Sequence, residues 1–215
     1  MKKYLKDVTL LAYTSHEVEG TVASLQECQK DIKFAEVKLL SHEKPNNLPS
    51  NITYEYAPEI NDINDFNHYM FLELGKHVST SHMLYVQAHA WILHPELWND
   101  DWLQYDYCGS PWRIVENAYI ANNGKRARVG NGGFSLRSKK LLDLPKNMNW
   151  ELRQEQSWYN EDGNVCCYWR KEMLENGIKY APIEVASIFS YENPMKENNY
   201  GNIKTFGFHR RIPNG

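Results

Sequence analysis

The sequence predicts an α/β fold with a mostly parallel central sheet and helices on both faces. Two observations carry this. A strand, a helix and a second strand follow one another at the start of the chain, the pattern of a parallel α/β layer. Later, His82-Met-Leu-Tyr-Val-Gln87 is too apolar for a strand with a water-facing side, which places it centrally. At 215 residues the chain is expected to form one domain, residues 1–215.

The elements follow in order. Asp7 to Tyr13 is a short apolar β-rich run ending in Thr14-Ser15-His16-Glu17, which reads as a buried strand, a loop and a helix start. From Val18 to Lys30, Val22, Leu25 and Cys28 share a helical face, and Lys33 to Leu40 alternates as a second strand. Ser41 to Asn51 is a Pro- and Asn-rich loop. Asp65 to His77 is helical, with Phe66, Tyr69, Met70 and Leu74 as its apolar residues. Beyond Pro95 the chain turns to aromatic-rich loops, with a short helix over Ser138 to Leu144. A longer helix is expected over Asp162 to Asn176, closed by Gly177. Ile178 to Ala181 and Val185 to Ser190 are expected to complete the sheet.

Composition narrows the function. Aromatics reach 13%, which suits stacking on sugars or bases as well as a ring-rich core. The net charge is −3, and the only compact basic runs are Lys125 to Arg128 and His209 to Arg211. That is not the concentrated basic face of a nucleic-acid binder, so no nucleic-acid partner is expected. Cys28, Cys108, Cys166 and Cys167 show no C-x-x-C spacing. The apolar run Val8 to Ala12 is too short for a signal sequence, and no stretch has the length of a membrane span. The expectation is a reduced, cytoplasmic protein, with any membrane association peripheral.

Four segments carry candidate chemistry. Val129-Gly-Asn-Gly-Gly-Phe-Ser-Leu-Arg-Ser138 packs three glycines and an asparagine into four positions. That is either a tight turn or a place where a ligand meets the backbone, with Gly132 or Gly133 at positive φ. Its spacing is not G-x-G-x-x-G, so it is no dinucleotide fingerprint. Trp158-Tyr-Asn-Glu-Asp162 opens the expected helix, and its acids serve either as caps or as a fixed general base. Tyr105-Asp-Tyr-Cys-Gly-Ser-Pro-Trp112 is a polar-aromatic loop, and Phe206-Gly-Phe-His209 lies near the end. Tyr13 and Thr14 follow the first strand, where open α/β sheets bind ligands, and are nucleotide candidates or plain loop. Tyr107, Trp112 and Trp91 are sugar platforms or core.

In this order the segments resemble a GT-A-like glycosyltransferase family known mainly as a domain of unknown function, found in bacteria and large DNA viruses of algae. Its recurring pattern is Q-x-D, YDY-x-G-x-PW, VGNGGFSLRS, an ED pair and FGFH. This sequence supplies QAH (Gln87 to His89), YDYCGSPW, VGNGGFSLRS, NED (Asn160 to Asp162) and FGFH, so the resemblance runs from about Asp7 to His209. It is also similar, more distantly, to inverting GT-A galactosyltransferases, which place G-G-x-S before an E-D pair and a metal-binding His farther on.

The resemblance implies transfer of a hexose-type sugar from a nucleoside diphosphate donor, UDP-linked by expectation, to a glycan hydroxyl with inversion. It makes Asp162 the base, ionised at its helix start, and Glu161 an acceptor or orienting contact. It assigns the donor to Gln87, Gly132, Gly133, Phe134 and Ser135 beside Tyr13 and Thr14. His89 stands where the family has Asp, and His209 matches the distant metal ligand. Those two would favour Mn²⁺ over Mg²⁺, unless the site is metal-independent and uses Arg or Lys. The alternative reading is a non-catalytic nucleotide-sugar or carbohydrate-binding module. For a viral member the cytoplasm would be the host's.

Overall fold

A computed structural model describes residues 2–153, 160–210 and 212. β1 (Lys3–Tyr13), α1 (Val18–Cys28) and β2 (Ile32–Ser41) form the expected opening, and β3 (Thr53–Tyr56) follows the loop. α2 (Ile63–Leu72) runs into a 3-10 turn over Leu74–His77, then β4 (His82–Val86). After two 3-10 turns come β5 (Tyr107–Cys108), β6 (Phe134–Ser138) and α3 (Lys139–Asn147). The last third holds α4 (Glu161–Gly163), α5 (Arg170–Glu175), α6 (Ile183–Phe189), β7 (Ser190–Tyr191) and β8 (Gly207–Phe208).

The main sheet has the order β3-β2-β1-β4-β6-β5. β3, β2, β1 and β4 are mutually parallel, and β6 runs antiparallel to both of its neighbours. β4 is buried along its whole length, because it lies between β1 and β6 with helices over both faces. Strand alternation divides the core. Leu10, Ala12, Leu84 and Val86 face α1, meeting Leu25, Cys28 and the α6 ring of Phe189. Leu11, Tyr13, Met83 and Tyr85 face the other way, onto Tyr69 and Met70 of α2 and Leu142 of α3. A third cluster joins Tyr107 and Trp112 to Val165, Cys166 and Met173 near the end of the chain. All four cysteines are buried thiols, and burial pushes Cys28 up to about 12.

Three expectations need correction. Val185 to Ser190 is not a sheet strand: residues 183–189 form α6, entered from Pro182, with Ala186 and Phe189 buried at helical spacing. Ile178 to Ala181 contributes only a bridge from Tyr180 to Tyr107. The far side of the sheet is built instead by β6 and β5, so the glycine segment leads directly into a strand. The expected helix over 162–176 is broken: after α4 a π turn spans Asn164–Tyr168, with the Trp169 N–H donating to the Asn164 carbonyl at 2.9 Å. Asn164 is fully buried there and donates its side-chain amide to the carbonyls of Arg153 and Asn160. Gly177 does close the segment, at φ 74°. Trp158 and Tyr159 of the acidic segment lie outside the described residues.

Candidate functional site

Two adjoining cavities open at the carboxyl ends of β1 and β4. A cleft of about 260 Å³ is lined by Tyr13, Thr14, Glu17, Gln87 and His89 among others. A deeper pocket of about 460 Å³ is walled by Trp112, Tyr119, Gly132, Gly133, Asp162 and Glu192, with neighbours. Phe66, Gln87, His209 and Arg210 line both, so they form the junction. Open α/β sheets bind ligands at this edge, where loops leave the strand ends.

The glycine segment forms the pocket floor through close packing. The Gly133 carbonyl accepts from the Gln87 N–H at 3.0 Å, joining the loop to the end of β4. A Cβ on Gly130 would overlap the Trp112 ring, one on Gly132 the Glu161 carboxylate, and one on Gly133 the His209 imidazole. Neither Gly132 nor Gly133 has positive φ, contrary to expectation. The left-handed residue is Asn131 at φ 64°, whose amide oxygen accepts from the Gly133 N–H at 3.1 Å. Glycine is required here for proximity rather than for its torsion range.

Beneath the floor lies an ion pair. Arg137, on β6, is 1% exposed and donates through Nη1 and Nη2 to the two oxygens of Glu161, each at 2.9 Å. Its Nε donates to Ser135 Oγ at 2.9 Å, and the Ser135 hydroxyl donates to the Gly132 carbonyl at 3.0 Å. The Glu161 N–H donates to Asn67 Oδ1 at 3.1 Å. A forked guanidinium and a carboxylate satisfy each other in this way where an isolated charge would be very costly. The pair fixes α4 to β6 and so sets the position of the next residue.

That residue is Asp162, half-buried on the pocket wall. Its Oδ1 accepts from the Gly163 N–H at 2.8 Å and its Oδ2 from the Gly132 N–H at 3.3 Å. Burial pushes its carboxyl up to about 7 and the Glu161 charge adds to the rise, with Arg137 and the two amides opposing it. This reverses the expectation that a helix start would keep Asp162 ionised. α4 has three residues, too few aligned peptides to outweigh desolvation.

The histidines are placed differently from each other. His209 is buried, with Nε2 at 3.0 Å from Gln87 Oε1 and Nδ1 at 3.2 Å from Glu192 Oε1. His89 is exposed on the cleft wall, with Nε2 at 3.2 Å from Glu17 Oε1, and its carbonyl accepts from the Arg210 N–H at 2.8 Å. The two rings face different carboxylates. No group of three or more His, Cys, Asp or Glu side chains among the described residues is arranged to hold a metal ion. Each histidine faces a single carboxylate, so an ion held at either would take its remaining ligands from water or from a bound phosphate.

Of the other expected residues, Tyr13, Thr14 and Gln87 line the cleft, and Trp112 lines the pocket, stacked on Tyr119 with centroids 4.4 Å apart. Three assignments are corrected by burial. Phe134 packs wholly into the core against Phe189 and Phe206, Tyr107 is enclosed in the third cluster, and Ser135 is enclosed under the floor. None of them lines either cavity. Trp91 packs edge-on against Phe208 and lies outside both cavities. Sequence reasoning missed Arg137, Tyr119, Glu192 and Arg210. Arg137 had a signal, a charge in the apolar alternation of Phe-Ser-Leu-Arg-Ser, and Arg210 lay in the basic run His209 to Arg211; Tyr119 and Glu192 had none.

Sheet order, the antiparallel β6 and the cleft at the strand ends define a GT-A-like glycosyltransferase fold. The family described as "Protein of unknown function (DUF5672)" matches residues 51–209, and the chain belongs to that family. No curated protein matches it. Among solved structures it is similar to the apo-form glycosyltransferase GlyE of Streptococcus pneumoniae TIGR4, at 11% identity and a TM-score of 0.51, over 98% of this chain and 55% of that one. A second is the mannosyltransferase PcManGT from Pyrobaculum calidifontis in complex with GDP-Man and Mn²⁺, at 11% identity and a TM-score of 0.46, over 81% and 53%. This chain thus spans about half the length of the structures it matches. No helix among the described residues is long and apolar enough to cross a membrane.

Proposed function

We propose that this chain is a glycosyltransferase that moves a hexose-type sugar from a nucleoside diphosphate donor, UDP-linked, to a glycan hydroxyl. One observation carries the reading: Asp162, on the wall of the pocket beside the glycine floor, has its carboxyl pushed up to about 7. A base with that affinity is half ionised near neutrality and takes a proton more readily than an ordinary aspartate. The nucleoside lies in the cleft by Tyr13 and Thr14, and the sugar crosses the junction at Gln87 onto Gly132 and Gly133. The acceptor enters past Trp112 and Tyr119. Asp162 removes the proton of the attacking hydroxyl on the face away from the leaving diphosphate, which inverts the anomeric centre. Glu161 contributes by position, since both its oxygens are held by Arg137. The chain works as one domain in the cytoplasm.

The test is release of free nucleoside diphosphate, and its transfer product, from a panel of nucleotide sugars and glycan acceptors. Asp162→Asn should lower the rate by roughly 10²- to 10⁴-fold while donor affinity survives. Wild-type activity should rise with pH through about 7 as the carboxylate forms. A protein that binds nucleotide sugars yet never turns them over is instead the non-catalytic module, a reading favoured by the exposed His89 at the aspartate position of Q-x-D.

A further inference from the structure

The donor of the reaction just proposed carries a diphosphate, and that charge must be met at the junction of the two cavities. We infer that Arg210 is the group that meets it, and that donor binding is independent of divalent cations. The inference rests on the donor reading above and extends it to a residue and a property that reading does not contain.

Geometry fixes the place. A donor with its nucleoside at the end of β1 and its sugar before Asp162 must pass the residues common to both cavities, Phe66, Gln87, His209 and Arg210. The surroundings are acidic: Glu17 faces the cleft, and Asp162 and Glu192 face the pocket. A diphosphate entering there meets repulsion unless a cation compensates. Among the described residues no three His, Cys, Asp or Glu side chains converge there as an all-protein metal cage. His209 has both ring nitrogens engaged by Gln87 and Glu192, and His89 turns to Glu17. Arg113 lines the deeper pocket alone.

Arg210 remains. It is exposed, and among the described residues its guanidinium has no hydrogen-bond or ion-pair partner. Its backbone is held at φ 65°, in the left-handed region that residues with a side chain seldom occupy. The N–H bond to the His89 carbonyl at 2.8 Å, and that of His209 to the Tyr191 carbonyl at 2.8 Å, keep it there. An unpartnered guanidinium on a strained backbone, at the one point shared by two cavities, is positioned for a ligand. Its planar fork matches phosphate oxygens, which an ammonium or imidazole matches less well.

The experiment is calorimetric titration of the whole chain with UDP, and separately with GDP, in EDTA and then in Mn²⁺. Wild-type affinity should be the same in both media within about threefold. Arg210→Ala should weaken binding by roughly 10- to 100-fold, the worth of one or two charge-assisted hydrogen bonds. Arg210→Gly, which accepts the left-handed backbone without strain, should weaken it equally, assigning the loss to the side chain. Both variants should melt no lower than wild type, because the side chain is exposed. A requirement for Mn²⁺, or Arg210 variants that bind as wild type does in EDTA, overturns this inference and leaves the transferase reading in place. Absence of diphosphate binding in both media overturns the two together.

Discussion

The half of the molecule built on β1, β2 and β4 and the half built on β6, β5 and the acidic turn are stabilised by different means. In the first, Leu10, Leu39 and Leu84 alternate with Leu11, Leu40 and Met83, and each set finds a layer of helix side chains. Volume and periodicity suffice, and many apolar sequences would serve. In the second, Gly130, Gly132 and Gly133 each touch a side chain that a methyl group would displace, and a buried guanidinium satisfies a buried carboxylate. There the structure depends on single atoms. The difference teaches that a site is specified by contacts a pattern cannot encode, supported on a scaffold that a pattern can.

The largest effect that would break this comparison is a charge left alone. Arg137→Ala strands Glu161 in a dry position and should cost about 3–5 kcal/mol, measured by denaturant unfolding. Leu84→Ala should cost a similar 2–5 kcal/mol through its cavity. The folded fraction of the Leu84 variant should keep its donor affinity, while that of the Arg137 variant should lose it. Equal loss of binding in both would show that the two halves are not distinct.

Asp162 sharpens the comparison through pH. Its raised folded-state affinity for a proton means that stability is fully present below about pH 4 and is lost as pH rises through about 7. Asp162→Asn, which keeps a side-chain acceptor for the Gly163 N–H, escapes that loss. The variant should melt roughly 3–8 °C above wild type at pH 8 and close to it at pH 4, from about 1–3 kcal/mol of relieved charge burial. A higher-melting wild type at pH 8 would contradict the assignment.

Gly133→Ala should cost about 1–3 kcal/mol, since its methyl group must push the buried His209 ring from between Gln87 and Glu192. Gly124→Ala is the control: its φ of 77° strains an alanine, but nothing lies within 4 Å of the new methyl. Donor affinity should fall only in the first. The smallest effect is expected at His89, whose exposed contact to Glu17 is worth little. His89→Ala should change unfolding by less than about 0.5 kcal/mol.

Legibility in the sequence follows the same division. β1, α1, β2, α2 and β4 were readable because hydrophobic period reports one buried face directly. α6 was misread because Val185, Ile188 and Phe189 have strand propensity, and only tertiary packing made their spacing helical. Phe134 and Tyr107 sit in memorable motifs, which says nothing about which way a ring points; β6 and β5 turn both inward. The basic run His209 to Arg211 was readable, but the place of Arg210 was not, because the meeting of two cavities has no sequence pattern.

The four buried thiols give each half its own clock. A thiol reacts with an alkylating reagent only as thiolate and only when reached, and burial here denies both conditions to Cys28, Cys108 and Cys166. Labelling in the native state therefore waits for an opening event. Cys28 is the last residue of α1 in the patterned half, and Cys166 and Cys167 lie in the π turn that follows Asp162. Mass spectrometry of the modified peptides would time the breathing of the scaffold and of the pocket wall separately, in a single tube, with the natural sequence unaltered.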